Sequence, residues 1–362
     1  MASVSKTDVE NLLQRFIDPN LGVDWVSAKM VKKIEVEEGR VAVKIALGYP
    51  AASVRAELAE TVRAIIGEAT GLDRVEVELN TDIVSHAVQK NLKPMPGVKN
   101  IIAVASGKGG VGKSTTAVNL ALALAAEGAR VGILDADIYG PSQPAMLGLS
   151  GRPETDGKSI EPKVAYGVQS MSIGYLIDED TPMIWRGPMV TGALQQLLND
   201  TRWDKLDYLV IDLPPGTGDI QLTLAQQIPV SGAVIVTTPQ DIALLDAQKG
   251  LKMFEKVSVP VLGIVENMSV HVCSNCGHEE PIFGAGGGAK MAAKYGVELL
   301  GSLPLDINIR EQADSGHPTV VADPQGRSAQ IYRDIARKLA GRLALTAKDY
   351  SAKFPTISIV NN

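Results

Sequence analysis

Cysteine is nearly absent from this sequence: the chain of 362 residues contains two, and both lie in one short segment. Two cysteines cannot form the dense disulfide framework of small secreted proteins, so that class is excluded. The first twenty residues contain no apolar signal-peptide core, and no later segment reaches the ~20 apolar residues of a membrane span. We therefore expect a cytoplasmic protein that does not act in a membrane.

An excess of basic residues is missing as well. The formal net charge is −6, and no cluster of Lys and Arg compensates for it, which argues against a nucleic-acid partner. The remaining composition, with 45% hydrophobic and 21% charged residues, is ordinary for a soluble globular protein. A chain of this length can form two domains, each with its own hydrophobic core.

The pattern along the chain predicts two domains joined by a short linker. Residues 1–92 contain a helix, an alternating hairpin around Glu38-Gly39, a second helix and a further strand, which indicates a small α+β domain. Residues 93–99 include two prolines and a glycine and form the predicted linker. In residues 100–362 apolar strands alternate with helices, which predicts an α/β fold with a mostly parallel sheet covered by helices on both faces.

A glycine-rich segment at the start of the second domain is the clearest motif. Its spacing, G-x-x-x-x-G-K-S, is that of the P-loop, which binds nucleotide phosphates between a strand and a helix. Glycines let backbone N–H groups turn onto the phosphates, the lysine supplies positive charge, and the serine hydroxyl binds Mg²⁺. The predicted nucleotide-binding residues are Gly107, Lys108, Gly109, Gly110, Val111, Gly112, Lys113, Ser114 and Thr115.

Three aspartates end predicted strands of the second domain. Asp212 ends the apolar run 209–211, as in the Walker B pattern, and is predicted to bind Mg²⁺ through water. Asp135 and Asp137 follow another apolar run, and we expect their carboxylates to face the same phosphate region. One such aspartate is more often a cap or turn residue, but three around one P-loop favour a magnesium and nucleotide site.

The two cysteines, Cys273 and Cys276, have C-x-x-C spacing and follow a predicted strand. Two thiolates at this spacing can bind one metal, but zinc or an iron–sulfur cluster normally takes four ligands. Unless His271 and His278 complete a zinc site, the missing ligands come from another molecule, and a twofold dimer would supply them as two plus two. The spacing leaves both arrangements open.

Several of these motifs together resemble one family. Lys108, directly after the first P-loop glycine, gives the deviant Walker A motif of the dimeric ATPases related to nitrogenase iron protein and the septum-placing Min ATPase. The chain also contains DADIYGPS at 135–142, WRGP at 185–188, DLPPGTGD at 212–219 and the late C-x-x-C pair. Together these motifs resemble the Mrp-type (ApbC) iron–sulfur cluster carrier ATPases over nearly all of residues 95–345.

The resemblance implies a homodimer that binds a labile [4Fe–4S] cluster through Cys273 and Cys276 of both chains. It implies transfer of that cluster to apo iron–sulfur proteins, with cluster assembly factors as further partners. ATP and Mg²⁺ are the implied cofactors, and binding or slow hydrolysis of ATP would modulate the transfer. The homodimer therefore acts, in this interpretation, as an ATP-dependent carrier.

The resemblance also implies roles for individual residues. Lys108, Lys113 and Asp137 are the implied catalytic residues. In such ATPases the lysine at the position of Lys108 reaches the nucleotide of the second chain, and the aspartate at the position of Asp137 orients the attacking water. The resemblance further implies that Asp135 supports the magnesium shell and that Asn267 hydrogen-bonds adenine. The Asp212 ligand and the cysteines complete the implied site.

Residues 1–92 resemble the small domain of iron–sulfur assembly factors in their layout and in the Asp18-Pro19 turn. A cysteine that is common in that module is absent here, where Gly48-Tyr49-Pro50 stands. We therefore expect a docking role for this domain rather than cluster chemistry.

Two other interpretations of the second domain are open. The C-x-x-C-G-H segment at 273–278 is also typical of zinc knuckles. A partition or positioning ATPase without a metal would share the P-loop, but it would need a basic DNA-binding stripe or a C-terminal amphipathic membrane helix. The predicted amphipathic helix at 328–345 is explained more simply by packing on the sheet.

Overall fold

The computed structural model describes residues 4–177, 187–273 and 275–349. Trp185 and Arg186 of the WRGP motif lie outside these ranges. The described residues include a three-stranded sheet near the N-terminus, an eight-stranded sheet, and a two-stranded hairpin. Each of the two larger sheets organises one part of the chain.

The N-terminal part of the chain is a small α+β unit built on the three-stranded sheet. Its elements are α1 (Lys6–Arg15), β1 (Val31–Glu37), β2 (Arg40–Leu47), α2 (Arg55–Thr70) and β3 (Arg74–Thr81). β1 and β2 form an antiparallel hairpin, and α2 connects β2 to the parallel strand β3. Gly39 in the hairpin turn has a φ of 75°, which glycine adopts readily. The small α+β unit that the sequence predicts ahead of the larger sheet is confirmed.

The rest of the chain is organised by one mostly parallel sheet. Its strands and the short hairpin that follows them are β4 (Val98–Ala105), β5 (Val131–Asp135), β6 (Lys163–Ala165), β7 (Val168–Ser172), β8 (Leu206–Asp212), β9 (Gly232–Thr237), β10 (Val261–Glu266), β11 (His271–Val272), β12 (Glu279–Glu280) and β13 (Leu299–Ser302). The sheet has the order β13-β10-β9-β4-β8-β5-β7-β6. Neighbouring strands are parallel except β6 with β7, so the predicted sheet is confirmed.

Helices cover both faces of this sheet. They are α3 (Lys113–Ala126), α4 (Gln143–Met146), α5 (Gly187–Asp200), α6 (Asp219–Gln227), α7 (Asp241–Lys256), α8 (Gly287–Tyr295), α9 (Ile307–Asp314), α10 (Thr319–Ala322) and α11 (Arg327–Ala344). Along β4, Ile102 and Val104 pack in one core with α3 and α11, whereas Ile101 and Ala103 pack in a second core with α5, α6 and α7. Because successive side chains of a strand point to opposite faces, the sheet lies between two helical layers.

The start of β4 and the edges of the sheet differ from the sequence prediction. β4 begins at Val98, inside the segment 93–99 that the sequence predicts as a linker. The β6–β7 hairpin at one edge and β13 at the other are not among the predicted strands. β7 contains the buried polar residues Ser170 and Ser172, so it lacks the continuous apolar character by which the central strands are recognised.

The two parts of the chain meet at a buried group of polar side chains. Arg337 of α11 is 6% exposed, and its guanidinium donates to Glu127 Oε1 at 2.7 Å and to Ser53 Oγ at 2.9 Å. Glu127 is the C-cap of α3, and its carboxylate also accepts the Ser53 N–H at 2.9 Å. Pairing makes the burial of both charges tolerable. The N-terminal unit is therefore fixed to the far end of the helix that begins at the P-loop.

Candidate functional site

The P-loop connects β4 to α3 at the carboxyl end of the sheet, and two of its glycines are required by close contacts. A Cβ at Gly107 would lie 2.2 Å from the carbonyl carbon of Asp246 in α7. Gly112 has a φ of 81°, and a Cβ there would lie 2.2 Å from Asn267 Nδ2. The glycine pattern therefore reflects packing against neighbouring elements as well as loop conformation.

The remaining P-loop residues have the placement that phosphate binding requires. Gly109 and Gly110 are exposed at the tip of the loop, and Val111 is buried beneath it. Ser114 and Thr115 lie half-buried in the first turn of α3. Backbone N–H groups at the start of this helix are without intrahelical acceptors, which makes the loop suitable for an anion.

Lys113 and Asp212 form a buried ion pair at the base of the P-loop. Their side chains are 6% and 0% exposed, and the distance from Lys113 Nζ to Asp212 Oδ1 is 2.5 Å. The same ammonium donates to Ser114 Oγ at 3.0 Å. The serine and aspartate that the sequence predicts as magnesium ligands thus converge on one positive charge.

Asp135 lies beside this pair, where its fully buried carboxylate accepts several hydrogen bonds. Its Oδ2 accepts the N–H groups of Ser142 and Gln143 at 2.9 Å and 3.0 Å and the Ser172 hydroxyl at 3.2 Å. Asp135 on β5 is paired in register with Asp212 on β8. Burial, followed by the charge of Asp212, raises the pKa of Asp135 to about 7. This carboxyl group therefore titrates near neutral pH.

Asp135→Asn is expected to stabilise the nucleotide-free protein more at pH 8 than at pH 5. The pKa of Asp135 is higher in the folded protein than its ordinary value of 3.8, so the native state binds more protons between those values. The wild-type protein therefore loses stability as the pH rises toward 7, whereas asparagine cannot ionise. The stability difference should grow by about 2 to 3 kcal/mol from pH 5 to pH 8.

Urea unfolding of both proteins at the two pH values measures this change. Any constant effect of the amide group cancels, because only the change of the difference with pH is compared. A difference in unfolding free energy that stays the same at pH 5 and pH 8 would contradict the burial of an ionisable Asp135.

Gln143 is a site residue that the sequence analysis does not identify. It is fully buried, and its Nε2 donates to Asp212 Oδ2 at 2.9 Å and to the Ser114 carbonyl at 3.2 Å. Gln143 thus connects the Walker B carboxylate to the P-loop helix. Its only signal in the sequence is a place between Pro141 and Pro144, which predicts a rigid turn and not a contact.

Asp137 and Lys108 lie nearer the surface of the site. Asp137 is half-buried, and its N–H donates to Asp135 Oδ1 at 3.2 Å. Burial raises the pKa of Asp137, while the charge of Lys113 opposes the rise. Lys108 is half-buried, and it forms no salt bridge with any of the described residues. Both residues are therefore placed where a ligand at the P-loop could reach them.

Asn267, directly after β10, contacts the P-loop itself. Its Nδ2 donates to the Val111 carbonyl at 2.9 Å, and its backbone N–H donates to the Thr237 carbonyl at 2.7 Å. The amide nitrogen is thus engaged by the protein. The adenine contact expected from the family resemblance stays a prediction.

The cysteines lie in the loop of the β11–β12 hairpin. The Cys273 N–H donates to the His278 carbonyl at 2.9 Å, and the Gly277 N–H donates to the Cys273 carbonyl at 2.9 Å. Gly277 has a φ of 71°, so the chain turns sharply after the second cysteine. These bonds hold the loop as a compact turn.

The two thiols are accessible and suited to metal binding. Cys273 is half-buried and Cys276 is exposed. Backbone N–H groups of Cys276 and Asn275 lower the pKa of the Cys273 thiol, which favours the thiolate. Within the described part of the chain, no three His, Cys, Asp or Glu side chains converge on a metal position.

Two family models match this arrangement. Residues 97–340, which contain the P-loop, the aspartates and the cysteine hairpin, match the model described as NUBPL iron-transfer P-loop NTPase. The chain belongs to this family. Residues 6–79 match the model of an iron-sulfur cluster assembly protein. The resemblance to iron–sulfur cluster carriers that the motifs suggest is confirmed.

Similar proteins and a solved structure agree with this assignment. An iron-sulfur cluster carrier protein of Pseudomonas fragi is 63% identical over 274 residues, which are 75% of this chain and 96% of that protein. An iron-sulfur cluster carrier protein of Escherichia coli (strain K12) is 54% identical over 337 residues, or 92% of this chain and 91% of that protein. A solved nucleotide-binding protein in complex with ADP from Archaeoglobus fulgidus is 38% identical with a TM-score of 0.56, covering 65% of this chain and 92% of that one.

The C-terminal amphipathic helix packs on the sheet, as the sequence analysis expects, and its apolar face is buried in the core. Tyr332, Ile335 and Leu339 of α11 are buried in the core that also contains residues of α3. Among the helices of the described ranges, none combines the length and the apolar character that crossing a membrane requires. The apolar face of α11 is therefore already used inside the protein.

Proposed function

We propose that this protein binds a [4Fe–4S] cluster between two copies of the chain and transfers it to apo iron–sulfur proteins, with ATP binding and hydrolysis regulating the transfer. The observation that carries the proposal is the cysteine hairpin: Cys273 and Cys276 are accessible, and among the described residues no third ligand joins them. A cubane cluster normally takes four thiolates, so two copies would provide the full set. The proposed partners are cluster assembly factors and recipient proteins in the cytoplasm.

An exposed apolar surface beside the P-loop supports the dimer. Ile242 and Leu245 of α7 are 69% and 57% exposed, and Tyr139 after β5 is 58% exposed. Ile242 and Leu245 lie on the helix whose Asp246 backbone packs on Gly107 of the P-loop, and large apolar side chains exposed beside a site are a feature of interaction surfaces. Tyr139 follows β5 and α7 follows β9, and both strands end on the same side of the sheet as β4, which leads to the P-loop. Two copies joined there would bring Lys108 of each chain toward the nucleotide of the other.

The side-chain oxygens and the lysine at the P-loop are suited to bind Mg²⁺ and a triphosphate. Ser114 Oγ and Asp212 Oδ1 already stabilise the positive charge of Lys113, so they form a cation-binding set. With nucleotide bound, Ser114 would bind Mg²⁺ directly and Asp212 through water, and Asp135 would support the shell. When bound, Mg²⁺ would neutralise negative charge on the phosphate oxygens. Lys113 would then contact the phosphates.

Asp137 is the residue proposed to orient the attacking water. Its raised pKa makes it a better proton acceptor than an ordinary aspartate. The water oxygen bonds to the γ-phosphorus as the bond to the β–γ bridging oxygen breaks. The products are ADP, inorganic phosphate and a proton released to solvent. Lys113 and Lys108 would stabilise the negative charge that gathers on the phosphate oxygens.

The cluster would leave the protein by exchange of ligands. A thiolate of the recipient binds an iron atom as the bond from that iron to Cys273 or Cys276 breaks. Each broken iron–sulfur bond is replaced by a new one, so the oxidation state of the cluster is unchanged and no oxidant is needed. The exposed Cys276 is the more accessible point for the first exchange.

An anaerobic transfer assay tests this function. Reconstituted protein is mixed with an apo-protein whose activity requires a [4Fe–4S] cluster, in the presence of an iron chelator and with or without MgATP. We expect recovery of the recipient's activity at a rate that depends on MgATP, because the cluster passes directly between proteins. Zinc in place of iron, or recovery that the chelator abolishes, would contradict the proposal.

A further inference from the structure

The cysteine hairpin is held at its base by a closed set of contacts that begins and ends at the P-loop. We call this set the anchor frame. Its members are Gly107 and Val111 of the P-loop, Glu266 and Asn267 at the end of β10, Gly287 and Gly288 in the first turn of α8, and α7. Both ends of the segment that contains the cysteines are attached to it.

One side of the anchor frame runs through the end of β10. Asn267 Nδ2 donates to the Val111 carbonyl at 2.9 Å. The preceding residue, Glu266, is 3% exposed, and its Oε2 accepts the Gly288 N–H at 2.5 Å. A buried carboxylate without such a donor would be costly, so this contact is strongly favoured. Glu266 and Asn267 thus connect the P-loop backbone directly to the start of α8.

The other side of the anchor frame runs through α7. Gly107 of the P-loop packs on the backbone of this helix, where a Cβ would lie 2.2 Å from the carbonyl carbon of Asp246. Near the start of the same helix, Leu244 packs on Gly287, where a Cβ would lie 2.6 Å from Leu244 Cδ1. Because Gly287 precedes Gly288, α7 also joins the P-loop to the start of α8.

The cysteine segment leaves the anchor frame at Asn267 and returns to it at Gly287. Met268, the first residue outside the frame, has a φ of 57°, so the chain turns sharply there. The N–H of Ser269 then donates to the Leu303 carbonyl at 2.9 Å. Any movement of Asn267 relative to α8 therefore changes the separation of the two ends that carry the hairpin. Closely packed contacts of this kind transmit such movements.

We propose that the anchor frame couples the nucleotide state of the P-loop to the geometry of the cysteine hairpin, with Glu266 as the positioning residue that makes the coupling. The inference rests on the proposed function and names its regulation. Phosphates bind to backbone N–H groups of the P-loop, so nucleotide acts on the same backbone that Asn267 holds. Glu266 passes this displacement to Gly288 and hence to the far end of the cysteine segment.

Thiol reactivity measures this coupling without any cluster. Cys273 and Cys276 are the only cysteines of the chain, so alkylation of the whole protein reports on the hairpin alone. Metal-free, fully reduced protein is treated with iodoacetamide, which forms a sulfur–carbon bond as iodide leaves, with or without MgATP. We expect MgATP to change the wild-type rate by roughly fivefold or more, as is typical of coupled sites. In Glu266→Ala the ratio of the two rates should fall to about one while MgATP still binds.

Matched variants separate the contact from general effects of charge. Glu280 is exposed on β12 of the same hairpin, so Glu280→Ala removes a carboxylate near the thiols without touching the anchor frame. That variant should keep the wild-type ratio. Gly288→Ala disturbs the same contact from the other side, because a Cβ there would lie 2.9 Å from Glu266 Oε2. Its ratio should also approach one, and Glu266→Gln, which keeps an acceptor oxygen, should give an intermediate ratio.

A Glu266→Ala protein that binds MgATP and keeps the wild-type ratio would overturn the coupling role. Wild-type thiols that react equally fast with and without MgATP would overturn it as well. If Glu266→Ala does not fold, Gly288→Ala and Glu266→Gln decide the question by the same ratio. Failure of the wild-type protein to bind iron would instead refute the proposed function, and the metal-free thiol assay would still be readable.

Discussion

Cys273→Ala is expected to abolish iron binding and to leave nucleotide binding at the wild-type level. Each chain supplies two thiolates, so a dimer of the variant would offer only two ligands to a cluster that takes four. Iron after anaerobic reconstitution should fall from about four atoms per dimer to nearly none. The thiol lies in the β11–β12 loop and not in the P-loop, so the affinity for MgATP should be unchanged. Iron and sulfide analysis and a fluorescent-nucleotide titration measure the two properties.

Asn275→Ala is the matched control for this variant. Its side chain is exposed in the same loop, and it assists Cys273 through the backbone N–H, which the substitution keeps. The control should bind as much iron as the wild-type protein. Full iron content in Cys273→Ala would show that Cys273 is not a cluster ligand. It would contradict the proposal that each chain supplies two of the four ligands.

Lys113→Ala is expected to lower ATP hydrolysis by roughly two to three orders of magnitude and to remove the effect of MgATP on cluster transfer. The ammonium of Lys113 is the charge that contacts Ser114 Oγ and Asp212 in the nucleotide-free protein. Without it the phosphates lose their main cationic partner at the base of the P-loop. Phosphate release and the transfer assay measure the two effects.

Lys252→Ala removes a lysine from the exposed surface of α7 and serves as the control. It should hydrolyse ATP and transfer the cluster at wild-type rates. Cluster transfer by Lys113→Ala that still responds fully to MgATP would separate the two functions and contradict their coupling. The iron content of Lys113→Ala should stay near that of the wild-type protein, because the cysteine hairpin keeps both thiols.

The central part of the fold could be predicted from the sequence because its strands are buried on both faces. Ile101 to Ala105 and Leu209 to Ile211 are continuous apolar runs, and that pattern alone indicates a central parallel strand. Strand β7, which lies between β5 and the edge strand β6, could not be predicted in this way. Its buried Ser172 donates to Asp135, so the residue is kept polar by a contact with the site and not by the pattern of the strand.

The residues of the candidate site that belong to known motifs could be predicted from the sequence. The sequence predicts Lys113 and Asp212 as site residues from the P-loop and Walker B patterns, but it does not predict their ion pair. They form it because β4, which precedes the P-loop, and β8, which ends at Asp212, are neighbours in the parallel sheet. Gln143 and Glu266 lie outside any motif with a known spacing. Each makes its contact with residues that only the tertiary fold brings near, namely Asp212 and Gly288. Physical proximity without a repeated spacing leaves no signal in a single sequence.

Native mass spectrometry with iron, zinc and sulfide analysis, on protein purified without oxygen, tests most directly whether two chains share one cluster. The mass identifies the oligomer, and the elemental analysis identifies what its four cysteines hold. We expect a dimer with about four iron and four sulfide atoms and no stoichiometric zinc. A monomer without iron, or a protein with one zinc ion per chain, would contradict the account.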